Sequence, residues 1–437
     1  MTDMTRAPRL LARVATAAML VWLAGCSTIL AVKDQQRRAD TMAVIGGTVR
    51  PEKTPARGPL VVALFTRGAD DFTLVDYFTA AEPGSWVFGV DPGTYFVAAF
   101  EDVNRDGAYE DEPCLRPDPA RPLVVTAGQK VANLDLVIPR AGRALRPGRI
   151  GLAELKARSS DEQRAKSLYA LSVSGMVTTL DDPRFATEVG QRGMWQYYDF
   201  ILKGGPGIYF LEPYDPKRIP VLFIHGIGGT PRDFTHLIGG LDRTRFQAWV
   251  LSYPTGARLD RTVQWVDQLF TRLQLERDVK KAVVVAHSMG GLVARGFVLQ
   301  HDAADPRHVI RELVTISSPL GGMASAGEGV EKSPVIVRSW YGLAPGSAYL
   351  EGLYYTDPPA RTVRRRLPDS IAYHLLFGFK GGGSDGSSDG VVTVASQLRP
   401  EAQEEAQTVR GFDETHTSIL GSPAVVTYVN GLLAGAR

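Results

Sequence analysis

The sequence predicts a chain of two unlike parts: a small all-β sandwich, then a larger α/β domain with a mostly parallel sheet and helices on both faces. Two patterns carry this expectation. Between 44 and 139, seven short runs (AVIGGTVR, LVVALFTR, DFTLVDYFTA, SWVFGV, TYFVAAFEDV, LVVTA, VANLDLVIP) are broken by PG, DPG and AG turns, which is how a sandwich reads. From 201 to 437, apolar runs at 208–211, 219–224, 247–253, 282–286, 313–316 and 371–378 alternate with helical stretches, which is how a sheet covered on both faces reads. The clearest helix is 261–276, where Val263, Val266, Leu269, Phe270 and Leu273 mark one face. A length of 437 residues accommodates both parts, and 44% hydrophobic with 22% charged residues excludes global disorder.

The first 25 residues read as a secretory signal. Arg6, Arg9 and Arg13 precede an eleven-residue apolar run at 14–24, too short for the roughly 20 residues that span a bilayer. The string LAGC at 23–26 resembles the lipobox of bacterial lipoproteins. That resemblance implies cleavage before Cys26, lipidation of Cys26, and attachment to a cell-envelope membrane; Ser27 in the next position implies the outer membrane. The alternative is an uncleaved signal anchor. Residues 26–43, with the cluster KDQQRRAD, read as a tether.

The sandwich follows at 44–139, and its segment VFGVDPGTYFVAAFEDVNRDGAYEDEP resembles transthyretin-like modules. Within it Asp102, Asn104 and Asp106 place oxygen atoms at every second position before Gly107. This is either a structural calcium loop or a turn in which the side chains bond their own backbone. It is not an EF-hand, because Pro113 holds the glutamate position. Cys114 is left without an intrachain partner if Cys26 is acylated, and no adjacent base makes it a nucleophile. Residues 140–200 read as a helical linker, with helical composition strongest at 151–171.

The chemistry gathers at four places in the second part. AHSMGG at 286–291 follows an apolar run and precedes a helical one, so Ser288 sits on a sharp strand-to-helix turn suited to a nucleophile. FIHGIGG at 223–229 closes an earlier strand with glycines, as a loop offering backbone amides to a developing oxyanion requires. SSDGVV at 387–392, within a Gly/Ser-rich stretch, offers Asp389 as the acid that orients an imidazole; Asp385 is the runner-up. Of seven histidines only His416 follows Asp389, and the chain order nucleophile, acid, base leaves it as the base.

These strings resemble those of Bacillus-type lipases and esterases in the α/β-hydrolase superfamily, over about 205–437. The resemblance implies an oxyanion hole formed by the amides of Ile227 and Met289, and leaves His225 a structural role in that loop. It implies cleavage of a carboxylic ester or lipid through an acyl-enzyme, with no cofactor required for catalysis. After SSPLGG at 317–322, where PGAP1-like relatives also carry a Ser-Pro-x-x-Gly segment, a long insertion at 323–366 holds Trp340, Tyr341, Tyr349, Tyr354 and Tyr355. It is either a cap over an acyl pocket or an extra packed layer. Beyond the first 25 residues the charges cancel, which excludes a nucleic-acid partner with a broad basic face. The competing functions are an acyltransferase or amidase using the same residues, and a non-catalytic envelope scaffold whose sandwich binds a partner protein.

Overall fold

The structure is a computed structural model of the whole chain. It describes residues 41–53, 55–67, 72–80, 83–105, 108–109, 114–115, 121–140, 150–151, 173–202, 205–333, 335–382 and 387–435. The signal, Cys26 and all but the first residue of the helical stretch at 151–171 lie outside them.

All seven runs expected as strands in the first part are strands: β1 (Ala43–Pro51), β2 (Leu60–Arg67), β3 (Phe72–Ala80), β4 (Gly84–Val90), β5 (Gly93–Glu101), β8 (Leu123–Val125) and β9 (Lys130–Ile138). Of the two-residue strands, β7 (Cys114–Leu115) joins them, while β6 (Ala108–Tyr109) and β10 (Ile150–Gly151) pair with each other as a separate ribbon. One sheet has the order β4-β1-β9; the other has β3-β2-β5-β7, with β8 paired to β5. Residues alternate across a strand, and β2 shows the consequence. Leu60, Val62 and Leu64 join β1 and β4 in the core between the sheets, while Val61, Ala63 and Phe65 join a second cluster on the opposite face with Tyr77 and buried Cys114. The sheet that contains β2 is therefore buried on both faces.

The second part is built on an eight-stranded sheet: β11 (Val173–Val177), β12 (Gly207–Phe210), β13 (Ile219–Ile224), β14 (Phe246–Ser252), β15 (Ala282–His287), β16 (Ile310–Ile316), β17 (Ala372–Gly378) and β18 (Thr408–Phe412). Its spatial order is β11-β12-β14-β13-β15-β16-β17-β18, parallel throughout except where β12 meets β14. The helices in chain order are α1 (Thr187–Trp195), α2 (Tyr197–Leu202), α3 (Thr235–Gly239), α4 (Leu259–Glu276), α5 (Met289–Ala304), α6 (Ala324–Lys332), α7 (Trp340–Leu343), α8 (Ala348–Gly352), α9 (Val394–Gln397), α10 (Pro400–Glu405) and α11 (Pro423–Gly435). Leu222, Ile224 and Val284 pack under α4 and α5. Their neighbours Val221, Phe223, Val283 and Val285 pack on the other side with residues of α3 and α11. Burial on both faces is why these strands read as continuous apolar runs. Among the described residues no helix is long and apolar enough to cross a membrane.

Two expectations need correction. The sheet begins before residue 201, because Val173–Val177 is a strand paired parallel to β12, inside the segment read as a helical linker. Its sequence, VSGMV, is short, and Gly175 interrupts it at φ +71° with a register shift, so it carries no clean alternation. The sheet also extends past 371–378 to β18, an edge strand with exposed Val409. Helix α4 joins the two parts: the buried Arg272 guanidinium lies 4.1 Å over the Tyr77 ring and Nη2 donates to the Tyr77 carbonyl at 3.0 Å.

Candidate active site

The apolar strand β15 ends at His287, and the chain turns at Ser288 into α5. Ser288 has φ 54° and ψ −132°, a conformation that side-chain-bearing residues rarely adopt. It is held by its own amide donating to the Ile316 carbonyl (2.9 Å) and by the Gly291 amide donating to the Ser288 carbonyl (2.9 Å). The turn needs Gly290, because a Cβ there would stand 2.3 Å from the Ile224 carbonyl oxygen. Helix α5 begins at Met289, so its positive N-terminal end faces the serine.

The imidazole of His416 completes the arrangement from a loop after β18. Ser288 Oγ donates to His416 Nε2 at 2.9 Å, and His416 Nδ1 donates to Asp389 Oδ2 at 2.7 Å. The second Asp389 oxygen, Oδ1, accepts the amides of Val391 (2.9 Å) and Val392 (2.7 Å). Burial alone pushes this carboxyl upward, yet the His416 hydrogen bond and charge and the two amides hold it below the usual carboxylate range. Asp389 therefore stays ionised and acceptor-only at neutral pH. Ser288, Asp389 and His416, the three residues expected from the sequence, meet at one point; all three are buried. Asp385 lies outside the described residues.

The loop after β13 lies beside the serine. A Cβ on Gly226 would approach Ser288 Cβ to 2.8 Å, so only glycine lets this backbone come so near. His225 Nδ1 donates to the Gly226 carbonyl (3.0 Å), and the Tyr253 hydroxyl donates to the His225 carbonyl (2.7 Å). Burial lowers the His225 imidazole to about 4, so it is neutral and holds the loop. The next turn is fixed by the Gly228 amide on Thr255 Oγ1 (3.0 Å). Among the described residues the Ile227 and Met289 amides have no protein acceptor.

Sequence reasoning missed two polar supports. Gln397 bridges β17 and the loop that carries Asp389: its Nε2 donates to the carbonyls of Gly378 (3.0 Å) and Val392 (3.1 Å), and its Oε1 accepts the Gly378 amide (3.0 Å). Helix α1, from the supposed linker, lies against the loop at Gly228, whose carbonyl accepts from Gln191 Nε2 at 3.5 Å. Trp195 at its end meets Trp340 of the insertion edge-on, 6.0 Å between ring centres. Parts of the insertion pack inward, while Tyr341 and Val363 are exposed. Tyr349 donates to the Leu292 carbonyl of α5 (2.9 Å), and Tyr354 is fully buried.

The calcium expectation lies partly outside the described residues, since Asp106 is not among them. Asp102 is buried, and its amide donates to the Pro59 carbonyl (2.8 Å); Asn104 is exposed. Among the described residues no three His, Cys, Asp or Glu side chains converge as a metal site.

Residues 221–421 match the model of the alpha/beta hydrolase family. The C-terminal domain has the α/β-hydrolase fold. The α/β-hydrolase domain is similar to the mature lipase BlEst2 of Bacillus licheniformis, at 14% identity, covering 52% of this chain and 97% of that one, with a TM-score of 0.40. It is also similar to a monoacylglycerol lipase of Paleococcus ferrophilus, at 15% identity, covering 53% and 99%, with a TM-score of 0.37. Phospholipase PlaB of Legionella pneumophila is 21% identical, covering 41% of this chain and 44% of that one, with a TM-score of 0.31. No curated protein matches the chain.

Proposed function

We propose that the α/β-hydrolase domain is a serine hydrolase of carboxylic esters. The observation that supports this reading best is the unbroken hydrogen-bonded run from Asp389 Oδ2 through His416 to Ser288 Oγ, at 2.7 and 2.9 Å. In this reading His416 Nε2 takes the Ser288 proton as the oxygen attacks the acyl carbon. The carbonyl oxygen gains negative charge, which the free amides of Ile227 and Met289 and the start of α5 stabilise. His416, now imidazolium, gives its proton to the departing alcohol. Water, deprotonated by His416, then attacks the acyl carbon, and His416 returns that proton to Ser288 Oγ as the acyl–Oγ bond breaks and the acid leaves. Asp389 keeps the proton on Nδ1 throughout, so that Nε2 is the basic nitrogen. No step calls for a metal or cofactor.

The same reading holds the enzyme at a bacterial envelope membrane through a lipidated Cys26, on the strength of the LAGC string. Wild type should fractionate with membranes and Cys26→Ser should be soluble; continued tight membrane association of Cys26→Ser would favour an uncleaved anchor. For the chemistry, turnover of p-nitrophenyl acetate by wild type, with Ser288→Ala inactive, is the direct test. Equal turnover by the two would refute the reading.

A further inference from the structure

The residue before the nucleophile has no role in the chemistry above, yet it touches the base. His287 is the last residue of β15, buried, and its Nε2 donates to the backbone carbonyl of His416 at 2.8 Å. The two imidazole rings lie 4.7 Å apart, tilted by 45°. The amide of His416 is also held, by the Asp389 carbonyl at 2.9 Å. The loop carrying the base is thus gripped at both of its peptide groups: the acid's loop holds one and the nucleophile's own strand holds the other.

We propose that His287 is a positioning residue, tying the loop that bears His416 to the strand that bears Ser288 so that Nε2 of the base stays in line with the hydroxyl. His416 lies on a loop following an edge strand, whereas β15 is a central, fully buried strand. A loop drifts more easily than a strand, and a misplacement of about 1 Å in a reacting group costs on the order of 100-fold in rate. A direct hydrogen bond from strand to loop removes that freedom. The donor is dependable, because burial first and the neighbouring His416 second lower His287 to about 3, leaving a neutral ring whose Nε2–H faces a carbonyl. An aliphatic residue would fill the space but leave the His416 carbonyl without its donor.

This inference rests on the ester-hydrolase reading, and the two fail differently. The experiment compares full-length wild type, His287→Phe and His287→Gln on p-nitrophenyl acetate, with thermal unfolding alongside. Phe keeps the bulk and loses the donor; the Gln amide nitrogen reaches about as far as Nε2 and restores it. His287→Phe should lose about 10- to 100-fold in kcat with KM within about twofold, and His287→Gln should recover most of the loss. If His287→Phe does not fold, His287→Asn decides, since its amide is too short to reach the carbonyl and should lose kcat likewise. Full kcat in a folded donor-less variant overturns the proposal, as does an equal fall in the Phe and Gln variants, which would mean packing alone. An inactive wild type would instead sink the ester-hydrolase reading.

Discussion

Arg295, fully buried on the helix that follows Ser288, stacks on the ring of Tyr354 in the insertion, 4.2 Å from its centre. Arg399 lies at the same distance from that ring. Glu405 pairs with Arg295 at 2.8 Å and Glu351 with Arg399 at 2.9 Å. Arg364 and Arg361 extend the network to Glu404, Glu405 and Glu351. Buried charges are costly to leave unpaired, so removing one partner should be expensive: Glu405→Ala should lose roughly 3–5 kcal/mol in denaturant unfolding.

The same network bears on how the site opens. Residues 348–367 are riveted to α5 and α10, which favours a packed layer over a swinging cap. Esterase rate on a sparingly soluble triglyceride should therefore rise smoothly through the solubility limit. A steep jump on forming an interface would show that the insertion moves.

Asp389→Asn should keep the fold but favour the wrong imidazole tautomer, lowering kcat by on the order of 10³–10⁴-fold. Asp385→Asn should leave the rate near wild type; the reverse ranking would move the acid role. Because the Asp389 pKa is depressed in the folded protein, its contribution to stability is complete above the ordinary carboxylate pKa and disappears as pH falls through the folded value. Thermal unfolding from pH 6 to pH 3 should accordingly fall less steeply for Asp389→Asn than for wild type.

Gly226→Ala should be folded and inactive. Its methyl would press on Ser288 Cβ at 2.8 Å, so esterase activity should drop by about 100-fold or more. Wild-type rates from this variant would mean that the loop does not approach the serine as described.

At the opposite end of the sheet, Glu312 lies 3.4 Å from His374, in a cavity also lined by Lys281, Arg311 and Asp369. Burial raises Glu312 to about 7 and lowers His374. Burial thus disfavours the charged form of each group. A raised folded pKa means that stability is full below the ordinary glutamate value and declines as pH climbs through about 7. Glu312→Gln should match wild type near pH 4 and exceed it by on the order of 2 kcal/mol at pH 8. No gain at pH 8 would mean that the carboxylate finds compensation in the cavity.

What could be read in advance was what is local. Ser288 announces itself through a strand, a turn and a helix that are contiguous in sequence, and His416 through chain order. The sandwich strands show themselves as short apolar runs cut by Gly and Pro turns. The missing pieces depend on distant partners. Val173–Val177 becomes a strand only because β12 is beside it. Gln397 and His287 are ordinary polar residues until the fold brings Val392 and His416 to them. Trp195 and Trp340, separated in sequence by most of the sheet, meet only once that sheet is built.

In the proposed reaction Ser288 is activated by His416 across the 2.9 Å contact between them. Labelling by a fluorophosphonate probe tests it most directly. Wild type should label rapidly and stoichiometrically, His416→Ala far more slowly, and Ser288→Ala not at all. Equal labelling of wild type and Ser288→Ala, or undiminished labelling of His416→Ala, would contradict it.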